Sequence, residues 1–108
     1  MPMTWDEMAC AVKKAKLIEM RGQKDRYLEV VVAVADLAPV TDLFKAYFGV
    51  PFKSMGERSF PEADAYAGPF GGVQTGQMLY IRKIESFVQG ALLWPWGDGA
   101  SVTVKIFS

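Results

Sequence analysis

The chain has 108 residues, is 51% apolar, and balances twelve basic against twelve acidic side chains. That length suits one domain able to bury a core without covalent staples, and zero net charge leaves no field to draw in nucleic acid or anionic lipid. There is no histidine and a single cysteine, Cys10. These counts exclude Ser-His-Asp and Cys-His catalysis, imidazole-based zinc sites, an intrachain disulfide and a CxxC motif.

The element order begins with a capping box, Thr4-Trp5-Asp6-Glu7. The threonine hydroxyl and the glutamate three residues on can satisfy each other's backbone amides, so a helix is expected from Trp5 to about Lys14. Cys10 lies beyond its first turn, where the helix dipole does little for a thiolate, and is expected to be a small core side chain. The first residues carry acids and no apolar core, which argues against a signal peptide. The longest apolar run, VVVAVA, is too short to span a bilayer. A reducing, cytoplasmic setting is the expectation.

Residues 16 to 35 read in two ways. KLIEMRG can extend the helix to Gly22, or it can form a hairpin of Lys16 to Arg21 with Arg26 to Ala35 across a loop of residues 22–25. The hairpin is favoured, and it sets Glu19 near Arg26 as a cross-strand pair. YLEVVVAVA is the strongest strand signal, and its continuous β-branched run suits an interior position. A second helix is expected from about Pro39 to Phe48, with Gly49 as its cap.

Residues 52–76 show no long periodic pattern beyond one helical turn at Pro61 to Tyr66. A connection of that length reads as a loop or lid. Residues 78–84, 87–94 and 101–107 read as a β-meander, although 78–90 also fits a helical face. The sum is one α+β domain over residues 1–108: an antiparallel sheet of four to five strands with two main helices packed on one face.

The stretch GPFGGVQTGQ, residues 68–77, holds four of the ten glycines. Gly71 and Gly76 have P-loop spacing, but Gln77-Met78 stand where lysine and a hydroxyl are needed to meet phosphate and magnesium. The segment therefore reads as a turn rather than a phosphate cradle. Glu62 and Asp64 read as solvated acids, and Lys53-Ser54 lacks the spacing of a Ser/Lys nucleophile. No metal, cofactor or catalytic residue is expected.

Trp94-Pro95-Trp96 is the most suggestive constellation, because a proline between two indoles argues against regular alternation of both. With 51% apolar residues, some apolar surface is expected to meet a partner. The leading expectation is a non-catalytic interaction or structural protein forming a homodimer, with Trp94 and Trp96 at the interface. The alternative is a small-molecule binding protein, or a histidine-independent enzyme, taking an anionic ligand under the 52–76 segment. Its walls would be Tyr66, Phe70 and Trp94, and its polar contacts Lys53, Arg58, Gln74, Thr75 and Gln77. A different protein subunit is the remaining partner class; nucleic acid and membrane are not expected.

Overall fold

The computed structural model describes residues 3–108. Helix α1 runs Trp5–Lys14, and the capping box at its start is complete, with Thr4 and Glu7 each accepting from the other's backbone amide. Strands β1 (Glu19–Lys24) and β2 (Tyr27–Ala33) form a hairpin. Helix α2 follows at Ala38–Phe48 and a short helix α3 at Pro61–Tyr66. Strands β3 (Met78–Ile84), β4 (Phe87–Pro95) and β5 (Ser101–Phe107) complete a five-stranded antiparallel sheet in the order β1-β2-β5-β4-β3. The α+β expectation holds, and residues 78–84 are strand rather than helix.

The first hairpin is tighter than the sequence suggested. Its loop is only Asp25-Arg26, with Arg26 at φ 62°, because a two-residue turn needs a left-handed residue to match the twist of its strands. The strand consequently starts later, and Glu19 stands opposite Val31 rather than near Arg26. Glu19 instead accepts from Arg21 Nε at 3.1 Å on its own strand. A bulge between Met20 and Gly22 accommodates this pairing of neighbours. The β-branched run of β2 is interior as expected, flanked by β1 and β5. The strand ends at Ala33 rather than Ala35, and Val34–Asp36 leave the sheet in a 3₁₀ turn.

Strand alternation divides the buried residues between two faces. Leu28, Val30, Val32, Val102, Val104, Ile106, Ala91 and Leu93 turn one way and pack with Met8 and Val12 of α1 and Val40, Phe44 and Tyr47 of α2. Cys10 is absent from that core and exposed, because Met8 and Val12, four residues apart, take the buried face of α1. The opposite sheet face carries a second cluster. Ala63, Ala67 and Val73 of the 52–76 segment cover Leu79 and Leu92 there, with Phe52, Phe60, Tyr66 and Phe70 packed around them. Phe70 carries this cover as far as Phe107 of β5 and Tyr27 of β2.

Candidate functional site

Where the segment stops, the sheet forms the wall of a groove of about 550 Å³. Six side chains give it its chemistry: Arg21 of β1, Glu29 of β2, Trp94 of β4, Trp96 just beyond it, and Thr103 and Lys105 of β5. Strand register brings them together. Glu29 pairs with Lys105, Thr103 lies between Val31 and Trp94, and alternation points all of them to the same face.

The two tryptophans both keep to that face. Pro95 still pairs with Val102, so Trp94 and Trp96 follow ordinary alternation with the proline between them. Alternation survives the proline because Pro95 is the last residue of its strand and the chain pairs on through Trp96 N–H to the Ser101 carbonyl at 2.9 Å. Trp96 is 37% exposed and donates its Nε1–H to Thr103 Oγ1 at 2.8 Å, which fixes the indole across the groove.

Each indole carries a cation. Lys105 Nζ lies 4.6 Å from the Trp94 ring centre and 5.2 Å from that of Phe70, and the Arg21 guanidinium lies 5.2 Å from Trp96. Glu29 faces them, accepting the Tyr27 hydroxyl at 2.6 Å. Burial, followed by the hydrogen bond and charge of Glu29, pushes the Tyr27 phenol well above its usual range, so it stays a donor. The ion pairs among the described residues are Lys16 with Asp36 and Arg21 with Glu19. Glu29 and Lys105 are therefore cross-strand neighbours of opposite charge that do not close on each other.

The polar residues expected to line a pocket under the 52–76 segment are arranged differently. Lys53 is fully buried, and its ammonium donates to the carbonyls of Gln74, Thr75 and Gln77 at 2.7, 2.8 and 2.6 Å. All three protons are thus spent on the chain itself. Burial lowers its pKa, and the charge of Glu57 opposes that shift. Gln77 is buried, and its side chain accepts the Gln74 amide at 2.9 Å. The Thr75 carbonyl also accepts Gly56 N–H at 2.8 Å. Arg58 is exposed.

The glycine-rich stretch is therefore a stapled turn. Gly71 and Gly72 take positive φ angles of 84° and 93°, and Asp64 receives the Val73 amide at 2.9 Å and the Ser59 hydroxyl at 2.8 Å. Tyr66 packs against Phe52 beneath the segment. Phe70 stacks on Tyr27 at 6.1 Å and meets Lys105 from outside the groove. Of the expected ligand-site residues, only Trp94 lines this groove.

Arg21, Glu29, Thr103 and Lys105 are the contributors that the sequence left unmarked. They sit on three strands, and their convergence depends on β5 lying between β2 and β4, which no local pattern encodes. Among the described residues, no cluster of His, Cys, Asp and Glu could hold a metal ion, and no helix is long and apolar enough to cross a membrane. No family model, curated protein or solved structure matches the chain, so the function must be argued from this groove.

Proposed function

We propose that the protein is a non-catalytic binding domain whose ligand site is the Trp94–Trp96 groove. The observation that carries this reading is the placement of Lys105 and Arg21 against the two indoles, with donor capacity turned to an open groove of about 550 Å³. A volume of that order suits a small ligand, and indole faces beside a few fixed polar groups give both contact area and orientation. No nucleophile with an adjacent base lies among the groove residues, which favours binding over turnover. The test is tryptophan emission during titration with small carboxylates, phosphates and amines, on the wild type and on Trp96→Ala. Saturable changes that the variant loses support the site; no response to any of them at millimolar concentration overturns it.

A second reading, homodimerisation, draws on a different surface. Ile18 and Met20 are 58% and 41% exposed beside the unpaired edge of the sheet. The bulge in β1 and its charged Arg21 and Lys24 oppose strand-to-strand pairing at that edge, so a dimer would rest on side chains rather than on a shared ladder. Light scattering after size exclusion decides it: a mass of 12.0 kDa at micromolar concentration removes the dimer.

A further inference from the structure

We infer that the groove selects zwitterions of the α-amino-acid class with an aromatic or large apolar side chain. This deepens the proposed binding function and rests on it. Glu29 and Lys105 stand directly opposite each other on β2 and β5. Side chains directly opposed on neighbouring strands start about 5 Å apart at Cβ, close enough for an acid and an amine to meet. Here they do not. Glu29 is held by the Tyr27 hydroxyl at 2.6 Å, and Lys105 is held between the Trp94 and Phe70 rings.

The two charges thus flank a slot, each with hydrogen-bonding capacity left over. A carboxylate has several acceptor positions, of which the tyrosine fills one, and an ammonium over aromatic faces keeps its protons for another partner. A simple anion entering the slot meets Lys105 but is repelled by Glu29. A simple cation meets Glu29 but is repelled by Lys105 and Arg21, which already take the indole faces. A molecule bearing an ammonium and a carboxylate on one carbon satisfies both sides: its carboxylate takes the lysine, and its ammonium takes the glutamate. Its side chain then lies along the exposed Trp96 indole, which Thr103 holds in place.

The chemistry has two sources, a free amino acid or a peptide terminus, and a peptide presents only one charge at each end. The experiment titrates tryptophan emission with four probes: phenylalanine, N-acetyl-phenylalanine, phenylalanine amide and inorganic phosphate. Phenylalanine is expected to bind, and each blocked derivative to bind about tenfold more weakly or worse, since each leaves one charged group of the groove without its partner. Glu29→Gln, which still accepts the Tyr27 hydroxyl, is expected to erase the preference over N-acetyl-phenylalanine. Lys105→Met is expected to erase the preference over the amide. Thermal melts of both variants establish that they fold.

Equal or tighter binding of N-acetyl-phenylalanine, or of phosphate, overturns the zwitterion inference and leaves an anion-binding groove. Equal or tighter binding of the amide overturns it in favour of a cation or peptide N-terminus. Silence with all four probes overturns it too, and the wider ligand titration then decides whether the groove binds anything.

Discussion

The ring of Phe107 lies across Gly90, its cross-strand partner, in the space that a Cβ on the glycine would fill. The contact explains a glycine in the middle of a buried strand, where it would otherwise only weaken the sheet. Phe107 cannot easily swing aside, because Phe70 packs on it with ring centres 5.1 Å apart. Gly90→Ala is expected to destabilise the fold by about 1–3 kcal/mol through overpacking. A thermal melt checks this, with a drop of about 4–8 °C per kcal/mol expected in a domain near this size. An unchanged melting temperature would show that the ring relaxes freely.

Lys53 staples the glycine-rich turn to the edge of the sheet. Its own backbone pairs with Leu79, while its ammonium gathers three carbonyls of residues 74–77. Lys53→Met keeps most of the stem and leaves the Gln77 carbonyl without its partner, while the Gln74 and Thr75 carbonyls each keep one backbone amide. The expected loss is about 1–3 kcal/mol, the cost of one buried acceptor left unpaired. Hydrogen exchange should quicken at the Gly56 and Gln77 amides, which bond to carbonyls of the same turn. Unaltered exchange there would show that the turn holds without the ammonium.

Asp64 holds the same segment from its other side. Its carboxyl is held below its usual 3.8 by the Val73 amide, then by the Ser59 hydroxyl. A depressed carboxyl pKa stabilises the fold fully above the unfolded value, and that contribution is lost as pH falls through the folded one. Asp64→Asn should therefore be less stable than wild type at neutral pH, and the gap should close below the folded pKa. Denaturant midpoints across the acid range test it; a constant gap would show that the charge plays no part. Gly72 belongs to the same arrangement, for its φ is 93° and an added Cβ would stand 3.0 Å from Asp64 Oδ1.

Thr103 decides whether the groove is formed before any ligand arrives. Thr103→Val removes the acceptor of the Trp96 indole and leaves a side chain of similar shape. The expected outcome is a red shift of tryptophan emission and stronger acrylamide quenching, with the fold intact by circular dichroism. Unchanged quenching would mean that packing alone fixes the indole.

Local chemistry made much of the fold legible. The Thr4–Glu7 box, the Pro39-to-Gly49 helix, the β-branched run of β2 and the Pro-Gly punctuation before β5 each report on neighbours within one element. Such signals depend on backbone geometry that a few consecutive residues impose, so they survive without knowledge of the rest. The tight Asp25-Arg26 turn was hidden because a left-handed arginine announces itself far less than a glycine does.

The sequence by itself determined an α+β chain without histidine chemistry, and a glycine-rich 68–77 stretch in which the chain turns. Only the tertiary structure decided what surrounds the tryptophans and what Lys53 does. Glu29 and Lys105 are 76 positions apart and become neighbours because β5 inserts between β2 and β4. Lys53 meets its carbonyls more than twenty residues later, through burial that no local pattern marks. Side-chain periodicity assigns a residue to a face of its own strand; strand order assigns its neighbours, and long-range packing sets that order.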